Sequence, residues 1–394
     1  MHRSVVAVVF ENLGSDMPRS WCCVLAIALL LAGCSESSPS FTVEKREGVF
    51  HALNRQGWNV WSDSAAAPLH LEREQTYGTD EGAGPAFLGG IRGGAVDSAG
   101  TVYMLDDENH RLVAFNSDGT VRWSGGRQGQ GPGEFQNPSG LIVSSNRIYV
   151  ENQFGQRIDV WTTDGDFVDR HTFQEEISLV DLVGFAEDHL IVSETGFGDE
   201  PQRIHALDPR SWESAHSFPV DLGLDLPEGL ASSASVTTVG DSIYASSVTE
   251  YRMRQYAIDG TLGRVIERDV DVLMKPGVYT SGDRRGIRPY SGLSAPVRLP
   301  SGHLLTGASW PTNVDDPDAH LRRSRNDAAE EVVYATSLDL FEANGRYVGS
   351  HRWDNRRSPP IGRIVGRGPD GALYTRTTNP FPQVRRYEVT LRTD

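Results

Sequence analysis

One short pattern recurs six times along the chain and restricts its possible folds more than any other feature. Each copy is a tight-turn cluster followed by an apolar pair, and most copies add another alternating segment roughly ten residues later. The apolar pairs are Val102-Tyr103, Ile148-Tyr149, Leu190-Ile191, Ile243-Tyr244, Leu304-Leu305 and Leu373-Tyr374. Alternating apolar residues on both sides of a turn predict a β-hairpin with one buried face. The chain is therefore predicted to contain six copies of one β-sheet unit.

The unit extends to four strands, because most copies carry a further turn after the third strand. These turns contain Asp118-Gly119, Asp164-Gly165, Asp259-Gly260 and Asn344-Gly345, which tolerate positive φ and are expected to form two-residue hairpins. Four antiparallel strands repeating every 42 to 70 residues or so are typical of β-propeller blades. The predicted fold is all-β, a six-bladed β-propeller of four-stranded antiparallel blades over residues 68–394.

The two ends of this repeat array are incomplete in a complementary way. The last copy ends with its third strand near Val384 to Leu391, whereas a strand from Leu69 to Glu72 precedes the first blade without partners. The N-terminal strand is therefore expected to complete the last blade and close the ring, which removes open sheet edges. Residues 41–67 are expected to pack outside the ring.

The N-terminus carries an apolar stretch from Trp21 to Ala32, which is too short to span a bilayer. It ends in Leu31-Ala32-Gly33-Cys34, which resembles the bacterial lipobox. The resemblance implies a signal peptide over residues 1–33 and a lipid on Cys34. Translation is expected to start at Met17, because Arg19 gives a basic segment directly before the apolar stretch, whereas the residues before Met17 include Glu11 and Asp16. Residues 34–40 are polar and are expected to form a flexible tether. The implied location is the bacterial cell envelope, at the outer membrane because of Ser35, facing the periplasm or the cell surface.

The segment from Phe135 to Gly165 gives the repeat a family likeness. It begins Phe135-Gln136-Asn137-Pro138-Ser139-Gly140-Leu141 and ends at Asp164-Gly165, and it resembles an NHL-type repeat. Such repeats occur in six-bladed propeller proteins, so the resemblance implies the same fold. Blades one and two carry the motif best.

Composition excludes several classes of function. The three cysteines lie at positions 22, 23 and 34, so the body has no thiol for a disulfide, a zinc-thiolate site or a nucleophile. The net charge of -16 repels phosphate backbones and argues against a nucleic-acid partner. Common hydrolase motifs and close histidine ligand pairs are absent from the sequence. No cofactor is predicted, and we expect a monomer.

Two long insertions are the main candidates for a binding site. One runs from Arg268 to Gly292 between blades four and five, and the other from Ser309 to Glu331 between the second and third strands of blade five. Both connections leave the same propeller face, so together they are expected to cap one side of the channel mouth.

The insertions are rich in aromatic and cationic side chains, which frequently anchor ligands. The candidate binding residues are Lys275, Tyr279, Arg284, Arg285, Arg288, Tyr290, Trp310, His320, Arg322, Arg323 and Arg325. A short helix is predicted from Asp318 to Glu331, with Asp316 or Asp318 as its cap. In the alternative interpretation, the arginines of this helix only pair with Asp318 or Asp327 on its own surface.

Two functions follow from this interpretation. The first is a non-enzymatic, envelope-anchored binding module for a peptide, protein or glycan, attached to the membrane through its lipid. The alternative is a periplasmic metal-dependent enzyme, lactonase-like or lyase-like, because propellers of those classes hold a divalent metal with channel carboxylates, amides or histidines. The acidic loops Asp106–His110 and Glu151–Gln153 suit the alternative, but loop position alone assigns no metal ligand.

Overall fold

The computed structural model describes residues 40–61, 67–173, 177, 180–196, 200–222, 234–247, 249–281, 284–324 and 330–392, with the backbone alone for 281 and 284–286. The predicted signal peptide, Cys34 and Arg325 lie outside the described residues. The first three strands are β1 (Phe41–Arg46), β2 (Val49–Asn54) and β3 (Leu69–Tyr77). In the part of the chain that is described, no helix has the length and apolar character needed to cross a membrane.

Blades one to three follow in chain order, each with its four strands arranged antiparallel from the first to the fourth. Blade one contains β4 (Gly93–Val96), β5 (Val102–Asp106), β6 (Arg111–Phe115) and β7 (Val121–Gly125), and the short pair β8 (Arg127–Gln128) and β9 (Glu134–Phe135) leads on from it. Blade two contains β10 (Gly140–Ser144), β11 (Arg147–Asn152), β12 (Arg157–Thr162) and β13 (Phe167–Thr172). Blade three contains β14 (Val180–Ala186), β15 (His189–Glu194), β16 (Arg203–Leu207) and β17 (Ser214–Pro219).

Blades four to six carry the additions to the repeat. Blade four contains β18 (Ser235–Val239), β19 (Ser242–Ser246), β20 (Arg252–Tyr256) and β21 (Leu262–Arg268), followed by the hairpin β22 (Gly277–Ser281) and β23 (Arg284–Arg288). In blade five, β24 (Gly292–Leu293) and β25 (Val297–Arg298) share the inner position beside β26 (Leu304–Pro311), and helix α1 (Pro317–Ser324) precedes β27 (Tyr334–Phe341) and β28 (Tyr347–Asp354). Blade six contains β29 (Arg363–Arg367), β30 (Leu373–Thr377) and β31 (Gln383–Leu391).

The N-terminal strand completes blade six and closes the ring. Strand β3 pairs antiparallel with β31 from Leu69 opposite Leu391 to Tyr77 opposite Val384. The inner strands also form a closed circuit, because β29, β4, β10, β14 and β18 contact one another in turn and Ala295 of blade five donates its amide to Ser235 of blade four. The predicted six-bladed propeller with circular strand exchange is confirmed.

Residues 41–61 form a belt on blades four and five. Strand β2 pairs in parallel with β21, and β1 pairs antiparallel with β2. A buried guanidinium fixes this belt: Arg268 lies 4.5 Å from the ring centroid of Trp58 and 3.6 Å from that of Tyr347. The same guanidinium lies 3.3 Å from a carboxylate oxygen of Asp339. Cation–π contacts and an ion pair thus join the belt to two blades.

The turns between third and fourth strands differ from the prediction. In blade one the amide of Asn116 donates to the carbonyl of Thr120, and the amide of Gly119 donates to the carbonyl of Asn116. The loop therefore has three residues, and its glycine alone has a positive φ, of 88°. The other three Gly turns repeat this hydrogen-bond pattern, so the expected two-residue hairpins are wrong. A type I turn followed by a left-handed glycine and a bulge gives this geometry.

The hydrophobic core consists of separate blocks rather than one centre. Six clusters of buried apolar side chains each join two neighbouring blades. Between blades one and two, for example, Tyr103 and Leu105 pack against Ile148 and Trp161. A seventh cluster of Tyr290, Val314 and Leu321 lies outside this series and joins the two insertions. The insertions therefore have a small core of their own.

Candidate functional site

The two insertions pack against each other on the face predicted for them. We call the described parts of residues 269–291 and 312–333 the cap. The backbone amide of Val278, on the hairpin, donates a 2.6 Å hydrogen bond to the carboxylate of Asp318, on the helix. Gly277 lies so close to the helix that a Cβ atom there would be 2.5 Å from Leu321. The hairpin and the helix thus form one unit.

A buried histidine joins the two insertions from the inside. The side chain of His320 is buried, and its Nε2 donates to the backbone carbonyl of Glu330 at 3.1 Å. In the neutral ring Nδ1 then accepts a 2.9 Å hydrogen bond from the hydroxyl of Tyr290, on the other insertion. Burial raises the pKa of Tyr290, so the hydroxyl keeps its proton. Both ring nitrogens are therefore used in holding the cap together.

Helix α1 is shorter than predicted but begins at the predicted cap. The amide of Ala319 donates to the carboxylate of Asp316, as an N-cap residue requires. The helix begins at Pro317 and ends at Ser324. Residues 330 and 331 are irregular. Among the described residues no ion pair involves Arg322 or Arg323, whereas Asp327 lies outside them.

The predicted binding residues fall into three groups. Five are exposed on the cap: Lys275, Tyr279, Arg288, Arg322 and Arg323. Three are buried: Tyr290 and His320 inside the cap, and Trp310 in the core between blades four and five. These three support the surface instead of lining it. Arg284 and Arg285 lie on β23, where only the backbone is described, and Arg325 lies outside the described residues.

An apolar groove separates the hairpin from the helix. It has a volume of about 410 Å³ and is lined by Tyr279, Ile287, Arg288, Pro289, Leu321 and Ser324. Tyr279 is 39% exposed, although large aromatic side chains usually bury more of their surface. The groove therefore offers apolar walls with one phenol and one guanidinium at its rim. Two of the predicted binding residues, Tyr279 and Arg288, meet here.

Polar side chains of the acidic loops form hydrogen bonds with backbone amides of preceding segments. Asp106 is fully buried and accepts hydrogen bonds from the amides of Gly89 and Gly90 and from the guanidinium of Arg111. Asn152 likewise accepts from the amide of Gln136 and donates to Asp159. Within the described ranges no group of three His, Cys, Asp or Glu side chains is arranged to hold a metal ion. The residues present there do not fit the metal site of the alternative function.

The mouth of the channel on the cap face carries charges of both signs. Inner strands begin at this face, and Arg92 and Arg363 lie at the start of the inner strands of blades one and six. Arg376 lies opposite Arg363 on the neighbouring strand and donates a 2.5 Å hydrogen bond to the carbonyl of Ile91. Desolvation lowers the pKa of Arg376, and the charges of Arg363 and Arg92 lower it further. The three guanidinium groups therefore share the seam between blades six and one.

Two carboxyl groups occupy the mouth on blades two and three. Glu151 is buried and accepts hydrogen bonds from the hydroxyl of Ser139 and the amide of Leu182. Burial raises the pKa of Glu151 to about 7, and the negative charge of Asp181 adds to this shift while the Ser139 bond opposes it. Asp181 is exposed, yet the protein around its side chain removes part of its hydration, and this desolvation raises its pKa too.

The sequence reasoning named Glu151 only as part of an acidic loop, and it missed Arg92, Arg363, Arg376 and Asp181. The sequence did contain a pattern that indicates this position. Arg92 directly precedes the inner strand of blade one, and Arg363 is the first residue of the inner strand of blade six. Glu151 and Arg376 also occupy the same place, next to last on the second strand of their blades. Aligning the copies by strand would have placed all four at the mouth.

The comparisons with known proteins agree with this architecture. No protein-family model matches the chain. Human NHL repeat-containing protein 3 is 30% identical over 73 residues, which is 18% of this chain and 21% of that protein. The chain is a six-bladed β-propeller, and a stretch of 73 residues in it is similar to an NHL repeat protein. The aligned part spans about a fifth of the human protein, so its activity and partners do not carry over.

Solved structures of low sequence identity share the propeller fold. A Bacteroides fragilis protein described as exported has a TM-score of 0.51 and 11% identity, covering 85% of this chain and 98% of that one. A Bacteroides vulgatus member of the duf4221 family has a TM-score of 0.50 and 10% identity, covering 82% and 99%. Virginiamycin B lyase from Staphylococcus aureus has a TM-score of 0.44 and 10% identity, covering 82% and 100%. At these identities the likeness to the two Bacteroides structures concerns the fold alone, and no argument rests on the lyase.

Proposed function

We propose that the propeller is a non-enzymatic binding module that takes a peptide, protein or glycan on its cap face. The observation that carries this proposal is the groove between hairpin and helix. It is an apolar surface with a half-exposed Tyr279 at its rim, built on two insertions that add their own small core to the repeat. Aromatic and arginine side chains over an apolar pocket commonly provide most of the binding energy. A ligand of extended shape would lie along this groove.

Binding to peptide and glycan arrays tests the role of the groove. Replacing Tyr279 with alanine should weaken binding of whichever ligand the arrays identify by roughly tenfold or more, because it removes the exposed ring. Phe50→Ala is the matched control, since Phe50 is a similarly exposed aromatic residue on the outer belt. Equal loss in both variants, or unchanged binding by Tyr279→Ala, would contradict the groove as the site.

We also propose that Cys34 carries a lipid that anchors the protein in the outer membrane, facing the periplasm or the cell surface. The support for this is the Leu31-Ala32-Gly33-Cys34 motif after a short apolar stretch. Labelling cells with radioactive palmitate should mark the protein and place it in the membrane fraction. Cys34→Ala should lose the label, whereas Cys23→Ala should keep it. Label retained in Cys34→Ala would overturn the proposal.

A channel enzyme is the second candidate, and one observation favours it. A carboxyl group with a pKa near 7, such as that of Glu151, suits general acid–base catalysis at neutral pH. The metal-dependent form needs a ligand set that the described residues do not bring together. Metal analysis of the purified protein separates the two candidates. A stoichiometric divalent metal that is lost with Glu151→Gln would favour the enzyme over the binding module.

A further inference from the structure

We propose that the seam between blades six and one binds an oxyanion, a carboxylate or a phosphate group, at the mouth of the channel. The site consists of Arg92, Arg363 and Arg376. It goes beyond the proposed function and does not depend on the groove.

The backbone brings the three arginines together. Arg363 and Arg376 are directly opposite in an antiparallel pair, so their side chains leave the sheet on the same side. Arg376 reaches across to blade one, where it donates to the carbonyl of Ile91, the residue before Arg92. The side shared by Arg363 and Arg376 is therefore the one that faces Arg92. Arg92 and Arg363 are exposed and Arg376 partly exposed, so solvent reaches all three.

The protein offsets only part of this positive charge, because the negative charge of Asp107 acts on Arg376 from a distance and raises its pKa. Within the described part of the chain, no carboxylate oxygen lies within 4.0 Å of Arg92, Arg363 or Arg376. Arg386 on the same blade, by contrast, pairs with both Glu74 and Asp370. Three like charges gathered at one place in a protein of net charge -16 repel one another. An anion bound between them removes that repulsion, and a guanidinium can bind a carboxylate or a phosphate through two parallel hydrogen bonds.

The carboxyl groups of the next two blades limit what the ligand can be. Glu151 and Asp181 lie on blades two and three, where a second anionic group would be repelled. The anionic group of the ligand therefore belongs on the arginine side, and a neutral or cationic part can extend towards the carboxyl groups. A ligand charged at one end fits this mouth better than a polyanion does.

Calorimetric titration with two small probes tests the site. Inorganic phosphate and acetate are titrated separately into the purified protein, in a low-salt chloride buffer. Saturable binding at millimolar concentrations is expected for at least one probe. Arg363→Gln should weaken it by roughly tenfold or more, because a charge-assisted contact is lost. The side chain of Arg363 makes no hydrogen bond that the described structure shows, so this variant is expected to fold normally.

Arg298→Gln is the matched control, because it removes the same charge from the other end of an inner strand. It should bind the probes as the wild type does, and so should Tyr279→Ala, which keeps the test separate from the groove. Binding of phosphate alone or acetate alone supports the proposal and assigns the anionic group. The proposal is overturned if neither probe saturates, if Arg363→Gln binds unchanged, or if Arg298→Gln loses as much affinity.

Discussion

Single residues at one repeated position determine the charge of this channel mouth. Glu151 and Arg376 are both next to last on the second strand of their blades, and each faces the first residue of an inner strand. The repeat fixes the backbone at this position and leaves the side chain free to vary. Burial then decides the chemistry, because it raises the pKa of the glutamate and lowers that of the arginine.

Glu151 should make stability depend on pH. Burial raises its pKa from 4.5 to about 7, so between these values the folded protein holds a proton that the unfolded chain has lost. Its contribution therefore favours folding at low pH and is lost as the pH rises towards 7. Glu151→Gln removes this loss. Its one carbonyl oxygen can accept from the amide of Leu182, while its NH2 group can donate to the hydroxyl of Ser139. The variant should be more stable than the wild type at pH 8, by at most about 3 kcal/mol, and nearly equal to it at pH 4.

Urea unfolding at both pH values measures this difference in free energy. Glu213→Gln is the control, because Glu213 is exposed in a turn, and it should show the same pH dependence as the wild type. A Glu151→Gln variant that gains no stability relative to the wild type between pH 4 and pH 8 would show that Glu151 is not buried in this way.

At the scale of elements, the cap depends on a close approach between the hairpin and helix α1. The approach requires glycine at position 277, because a Cβ atom would lie 2.5 Å from Leu321 and 3.0 Å from the carbonyl of Pro317. Neither the hairpin nor the helix contributes to a blade sheet. Their packing can therefore change while the ring stays intact.

Gly277→Ala should loosen the cap without unfolding the propeller. Hydrogen exchange is expected to become faster in residues 277–281 and 317–324, since the added methyl group separates the two elements. The blade strands should keep their protection. Gly292→Ala is the matched control, because a Cβ atom there has only an ordinary 3.6 Å contact with Ser309. Unchanged exchange in Gly277→Ala would mean that the elements are not packed as described.

At the scale of the whole molecule, the fold is a closed circuit of similar interfaces. Six apolar clusters join successive blades, and the blade assembled from both chain ends takes part in two of them. Leu69 and Tyr77, from the N-terminal strand, belong to these two clusters. Ring closure thus contributes to two neighbouring interfaces as well as to one sheet.

A disulfide across the closing strands should stabilise the whole ring. Glu72 and Glu388 are exposed and directly opposite in the pair of β3 and β31, so cysteines there satisfy disulfide geometry. In a chain that begins after Cys34 no other thiol is present. Oxidation should raise the unfolding free energy by about 2–4 kcal/mol, because it closes a very long loop. Unfolding in guanidinium chloride, with and without reductant, measures this gain in unfolding free energy.

Cysteines in place of Glu72 and Glu213 serve as the control, because Glu213 lies on blade three and not on the strands that close the ring. This pair should form no intramolecular disulfide. If the Glu72 and Glu388 cysteines also fail to pair, the two strands are not neighbours and the ring is closed in some other way.

The sequence by itself determined the number of blades, the strand order and the way the ring closes. Those features follow from the alternation of apolar and polar residues and from the turn residues, both repeated six times. A strand with one apolar face can bury that face only against a neighbouring blade. The turn length after the third strand was not fixed by the Asp-Gly pairs, because such pairs fit both a two-residue hairpin and a three-residue loop with a bulge.

Only the tertiary structure decided which polar side chains meet. Tyr290 and His320 are buried inside the cap, and Asp106 accepts hydrogen bonds from backbone amides. Three arginines lie together although they come from two blades about 270 residues apart in the chain. These pairings depend on distance and desolvation between segments remote in sequence. Repeat patterns carry no information about either quantity, because they describe one blade at a time.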